Sequence, residues 1–146
     1  MSSSSNSAKP IYTCNIIYHP LQIPAPAGNT ASYTFNPPLP ADGLNPGDRL
    51  HFTFSPAPDV KTPGKLDQAV LIAGYKDAQV STDSSPFYND ANNIDIHSFP
   101  TLTIGKRPGT WGFTVAFSLI VPSIGASKTT THFYFLPDPE LVVKPQ

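Results

Sequence analysis

Eighteen of the 146 residues are proline, and their spacing leaves Gly64 to Ser85 as the longest stretch with room for a helix. Proline has no backbone N–H and clashes with the preceding helical turn, yet it fits turns and strand edges. A chain with this spacing is built of strands joined by stiff loops. The acidic residues agree: of the ten, nine are Asp and only Glu140 is Glu. Asp favours turns and caps, whereas Glu favours helix interiors.

Proline-rich chains are often disordered, but here 39% of the residues are hydrophobic and Phe and Tyr together supply fifteen large rings. That is enough apolar surface for one sizeable core, and the length suits one domain. Met1 to Ser7 has neither a basic start nor an apolar segment, so residues 1–9 are expected to be a disordered leader and residues 10–146 a single domain. Phe113 to Val121, the longest strongly apolar stretch, is too short to cross a bilayer as a helix, so no membrane partner is expected. The single cysteine, Cys14, makes an intrachain disulfide impossible. A cytoplasmic location is the expectation.

Charged residues are 13% of the chain and the net charge is −1, with the nine Lys and Arg spread along the chain. There is no basic stripe for a nucleic acid. Weak net charge also means weak repulsion between copies, which favours self-association.

Ile11 to Tyr18 reads as a first strand, closed by His19-Pro20, and Ala31 to Phe35 as a short second one stopped by Asn36-Pro37-Pro38. The tight turn Asn45-Pro46-Gly47-Asp48 leads into Arg49 to Ser55, where Leu50, Phe52 and Phe54 alternate with Arg49, His51 and Thr53. Gln68 to Tyr75 admits two readings. Thr62-Pro63 has the form of a helix start, with Leu66, Ala69, Val70 and Ala73 on one side, while Val70-Leu71-Ile72 and Gly74 favour a buried strand, the reading preferred here.

Ile94 to Ile104 alternates again and is divided at Pro100. In Thr110 to Val121, the strongest strand signal, Trp111, Phe113, Val115, Phe117, Leu119 and Val121 share a face. Thr129 to Leu136 follows, with Phe133 and Phe135 read as facing the core and His132 as facing solvent, and Glu140 to Val143 is a terminal strand. Eight or nine short strands with turn signals between them predict an all-β, antiparallel, immunoglobulin-like or Greek-key sandwich with at most one short helix.

Chemistry leaves little trace in this pattern. The turn at Asn45 to Asp48 resembles one that opens a strand in the cupredoxins, but a blue-copper site needs a thiolate, two imidazoles and usually an axial Met. Here Cys14 lies in the first strand and Met1 is the only methionine, so an ordinary turn explains the residues. His19, His51, His97 and His132 show no ligand spacing. Asp83 to Asp95 is rich in oxygen ligands yet lacks the central Gly and final Glu of a calcium loop, so a polar surface loop is preferred. No nucleophile elbow, phosphate loop, dinucleotide fingerprint or zinc-protease motif is present, and no catalytic residue, metal or cofactor is assigned.

The segment Leu136-Pro137-Asp138-Pro139-Glu140-Leu141-Val142-Val143-Lys144-Pro145 resembles the signature of the DP-EP family of small bacterial proteins. The resemblance implies a bacterial sandwich protein and brings no catalytic residues with it. Its plain structural account is a rigid corner at the two prolines, after which Leu141 and Val143 join a sheet. The leading functional expectation is a non-enzymatic module that binds a protein ligand or assembles with itself. The alternative is a carbohydrate-binding module using Phe87, Tyr88, Asn89 and Asp90, where two rings interrupt a long polar stretch. A sandwich hydrolase is the third reading.

Overall fold

The strand with the strongest alternation organises the molecule. The computed structural model describes residues 10–18, 29–58, 64–75, 85–88, 93–122, 129–136 and 139–145, and its described elements are all strands. They are β1 (Ile11–Tyr18), β2 (Asn29–Asn36), β3 (Arg49–Pro56), β4 (Lys65–Tyr75), β5 (Asn93–Asp95), β6 (Thr101–Thr103), β7 (Gly109–Pro122), β8 (Thr129–Leu136) and β9 (Glu140–Val143). The expected leader, residues 1–9, lies outside the described residues.

β7 is the centre of one sheet, ordered β5-β4-β7-β8, with β9 continuing along the edge of β7 that β8 occupies. β4 pairs with β7 from Lys65 to Tyr75, with a bulge between Leu66 and Gln68. The segment expected from Gln68 to Tyr75 is thus a strand, and it begins three residues earlier. The second sheet runs β2-β1-β3-β6. Most ladders are antiparallel, but β1 and β3 run parallel, because the chain leaves β2 on one side of β1 and returns on the other. The first two residues of β2 also pair with β8, which joins the sheets along one side.

Rings carry the contact between the sheets. Phe52 of β3 meets Phe113 of β7 edge-on, with centroids 6.1 Å apart, and Phe54 meets Phe117 at 5.0 Å. Tyr18 of β1 lies 6.2 Å from Phe117 and 5.8 Å from Tyr134. Trp111, Phe113, Val115, Phe117 and Leu119 are all buried, as their shared face requires.

The face of β8 differs from the sequence reading. In β8 the buried residues are Tyr134 and Leu136, with His132 half-buried beside them, while Phe133 and Phe135 point outward. Pairing decides this: Tyr134 stands opposite Phe117, whose face β7 has already committed to the core. The terminal strand begins and ends where expected, and the ladder along β7 passes from Leu136 opposite Val115 to Glu140 opposite Gly112. Pro139 belongs to that ladder, its carbonyl accepting from the Phe113 N–H at 3.0 Å, while residues 137–138 are outside the described set.

The segment divided at Pro100 serves both sheets: β5 pairs with β4, and β6 pairs with β3. The crossing between them is held by Asp95, whose Oδ1 accepts from the N–H groups of His97 at 3.0 Å and Ser98 at 3.1 Å. These hydrogen bonds favour the ionised carboxylate and lower its pKa.

Candidate functional site: a cleft beside Tyr88

Phe87 and Tyr88 are adjacent in sequence and opposite in placement. Phe87 is 3% exposed and belongs to the core, whereas Tyr88 is 65% exposed. Three hydrogen-bonding and packing features hold the pair. Phe87 forms a β-bridge with Ile104, the Gly105 N–H donates to the Pro86 carbonyl at 2.8 Å, and the Phe87 N–H donates to the buried Ser85 Oγ at 3.0 Å. Gly105 permits this approach, since a Cβ there would lie 3.0 Å from the Phe87 carbonyl oxygen. One residue is therefore an anchor and the next is a projecting ring. The other two residues expected at this site, Asn89 and Asp90, lie outside the described residues.

The turn expected at Asn45 to Asp48 forms the facing wall. Asp48 N–H donates to the Asn45 carbonyl at 3.0 Å, the Asn45 N–H donates to Asp48 Oδ2 at 2.8 Å, and Gly47 takes a φ of +92°, which glycine adopts without strain. The turn is tied to the strand end beyond β6 by Gly47 N–H to the Ile104 carbonyl at 2.9 Å and Ile104 N–H to the Asp48 carbonyl at 2.8 Å. Between this turn and Tyr88 opens a cleft of about 690 Å³, floored by Phe87, Ile104 and Gly105. Its volume lies within the roughly 300–1,000 Å³ of small-molecule sites.

Thr103, Lys106 and Arg107 complete the lining, and among the described residues no carboxylate is part of it. Asp48 is buried behind the turn, where its Oδ1 has no hydrogen-bond partner among the described residues. The wall continues into the core through Trp111, whose indole Nε1–H donates to the Arg107 carbonyl at 3.3 Å. Neither Lys106 nor Arg107 is marked as a site residue in the sequence reading. Two adjacent cations in a chain otherwise short of charge were the available signal.

The other residues weighed for chemistry stay apart. Among the described residues no three of His, Cys, Asp and Glu converge as metal ligands. Cys14 is fully buried, and burial pushes its thiol pKa up to about 12, so it holds its proton at neutral pH. His51 Nδ1 lies 2.8 Å from Thr101 Oγ1 in a cross-strand hydrogen bond, and burial lowers the pKa of His132. His19, and residues 83–84 and 89–92 of the Asp83 to Asp95 loop, lie outside the described residues.

A second surface is defined by the outward residues of β4, β7 and β8. Register places Phe135 beside Ala116 and Val70, and Phe133 beside Ser118 and Gln68. Ile72, Phe133 and Phe135 are 53%, 62% and 49% exposed. Between the two rings and Gln68 is a shallow depression of about 210 Å³. The two rows carry no ionisable side chain between Phe133 or Phe135 and β4, and Asp95 stands beyond Val70 at the β5 edge.

These features define an all-β protein of two packed sheets with one cleft at a sheet end and one apolar outer face. No family model and no curated protein matches the sequence. Among solved structures, the chain is similar to the inclusion body protein PixA from Burkholderia cenocepacia J2315, with a TM-score of 0.44 and 9% identity over 96% of this chain and 98% of that one. Among the described residues no helix is long and apolar enough to cross a membrane.

Proposed function

We propose that the protein is a non-enzymatic module that associates with further copies of itself through the outer face of β4, β7 and β8. The observation that carries this reading is the placement of Ile72, Phe133 and Phe135 on that one face, each about half exposed or more. Large apolar side chains scattered singly need no explanation, but a contiguous group does. Net charge supports the same reading, since at −1 two copies repel each other little. Face-to-face stacking of sheets at a spacing of about 10 Å is the ordinary way for such a surface to be covered.

The size of the face sets the strength. Three strands wide and about eight residues long, it offers roughly 400 Å² of plan area. A stable interface buries about 800 Å² per partner. The association is therefore reversible and concentration dependent. Sedimentation or light scattering over a concentration series tests it, with the double variant Phe133→Thr/Phe135→Thr as control. Thr keeps strand propensity and removes the rings. The expected result is a mass that rises with concentration in the native chain and stays monomeric in the variant. A native chain that remains monomeric at tens of micromolar, or a variant that associates equally, overturns the reading.

A further inference from the structure

The outer face of β4, β7 and β8 has a shape as well as a polarity. Trp111, Phe113, Val115 and Phe117 are buried, so alternation turns Gly112, Thr114, Ala116 and Ser118 of β7 outward, and all four are small. The neighbouring strands set larger side chains beside them. Gln68, Val70 and Ile72 of β4 stand opposite Ser118, Ala116 and Thr114, while Phe133 and Phe135 of β8 stand opposite Ser118 and Ala116. The result is a trough along β7 between two ridges. It is the depression of about 210 Å³ described above, floored by Ala116 and Ser118 and walled by Gln68, Val70 and the two rings. Ser118 is only 3% exposed on this outward face because the ridges rise on both sides of it.

The β8 ridge and the β7 trough lie side by side, one strand spacing of about 4.8 Å apart. A surface of that kind is complementary to itself. Turning a second copy by 180° about an axis parallel to the strands, midway between β7 and β8, exchanges the positions of the two strands and leaves every height along them unchanged. Because Phe135 is level with Ala116, the second copy's Phe135 comes down on Ala116, in the trough between Val70 and Phe135 of the first copy, and the same contact is made in return. Large side chains meet small ones, which is what lets two sheets interdigitate at a spacing of about 10 Å. We infer that the copies pair through this ridge-in-trough contact, as a twofold dimer in which Phe135 of each copy fills the hollow over Ala116 of the other. Such a dimer rests on the self-association proposed above, and it fixes which residues meet and where growth stops. An isologous contact uses the same patch on both copies, so it is saturated at two.

The test is sedimentation equilibrium of the full chain and of three variants: Ala116→Phe, Phe135→Ala, and the two substitutions together. Urea midpoints check folding, and Ala116→Leu, which fills the trough with less bulk, stands in if Ala116→Phe unfolds. The native chain is expected to show a monomer–dimer equilibrium with no larger species. Filling the trough should weaken pairing about tenfold or more, although it adds apolar surface, because the second copy's Phe135 then meets an overpacked site. Phe135→Ala removes the ridge and should also weaken pairing. The combined variant again places a ring opposite a small residue, so it should pair more tightly than either single variant, a non-additivity expected only of residues in contact. A native chain that is monomeric throughout overturns the self-association, and this dimer with it. Three other outcomes leave the self-association standing and overturn the ridge-in-trough dimer: an Ala116→Phe variant that pairs as well as the native chain or better, a combined variant no tighter than the single ones, or native species larger than two copies.

Discussion

Phe117 and Tyr134 stand directly opposite each other on β7 and β8, and their rings stack with centroids 5.0 Å apart and planes 7° from parallel. This is the offset arrangement that ring quadrupoles prefer, and it is desolvated on all sides, with Tyr18 and Phe54 packed against Phe117. The stack fixes which face of β8 is inside, and so it exports Phe133 and Phe135. A core contact thereby creates the surface on which the proposed association rests.

Replacing Phe117 with Ala should cost about 3–5 kcal/mol, the usual loss for emptying a core aromatic site. Replacing Phe133 with Ala should change stability by less than about 0.5 kcal/mol, as for other surface positions. Urea denaturation of the two variants compares them directly. A Phe133 variant as damaged as the Phe117 variant would show that β8 is turned the other way.

Tyr88 and Phe87 should separate just as sharply. Phe87→Ala removes a buried anchor and is expected to cost about 3–5 kcal/mol. Tyr88→Ala should stay within about 0.5 kcal/mol of the native chain. Thermal unfolding gives both numbers, and a substantial destabilisation by Tyr88→Ala would mean that the ring closes the core instead of facing the cleft.

Stability should fall as the solution is made alkaline. The Cys14 thiol titrates near 12 in the folded protein because burial disfavours the thiolate, against about 8.5 in an unfolded chain. Between those values the folded state keeps a proton that the unfolded state has released, so stability declines with rising pH, by up to about 1.4 kcal/mol per unit. Below the unfolded value the contribution is fully present. Tyr18 and Tyr134 are shifted upward by burial and add to the decline once unfolded tyrosine begins to ionise, near pH 10. Denaturation midpoints from about pH 8 to 11 measure the slope. Cys14→Ala should flatten it below pH 10, and an identical slope in that variant would remove Cys14 as the cause.

Two glycines make a matched pair. Gly43 has a φ of +111°, and a Cβ there would lie 3.1 Å from both Cγ1 and the carbonyl oxygen of Val142, the oxygen that accepts from the Leu44 N–H at 2.7 Å. Gly43→Ala is therefore expected to destabilise by more than about 1 kcal/mol. Gly112, in β7, has nothing within 4 Å of the same added atom, so Gly112→Ala should stabilise by about 0.4–1 kcal/mol by restricting the unfolded chain. Melting temperatures moving in opposite directions are the expected readout; a gain at Gly43 would contradict the positive φ.

The sequence by itself determined the elements. Proline spacing restricts helices, and period-two alternation needs only nearest neighbours along the chain, so β1, β3, β7 and β9 were legible within a residue or so, as was the turn at Asn45 to Asp48. It also marked Phe87 and Tyr88 as rings out of place in a polar stretch. What it did not determine was anything set by a partner distant in the chain. The face of β8 depends on Tyr134 meeting Phe117, the assignment of β5 and β6 to different sheets depends on β4 and β3, and the parallel placement of β1 beside β3 depends on the route between them. Alternation is symmetric under a change of face, so HFYFL fits a sheet equally well either way up, and only pairing with a strand already committed to the core breaks the tie. The cleft is of the same kind. Pro46, Tyr88 and Lys106 are far apart in sequence, and the hydrogen bonds of Gly47, Ile104 and Gly105 are what bring them around one space.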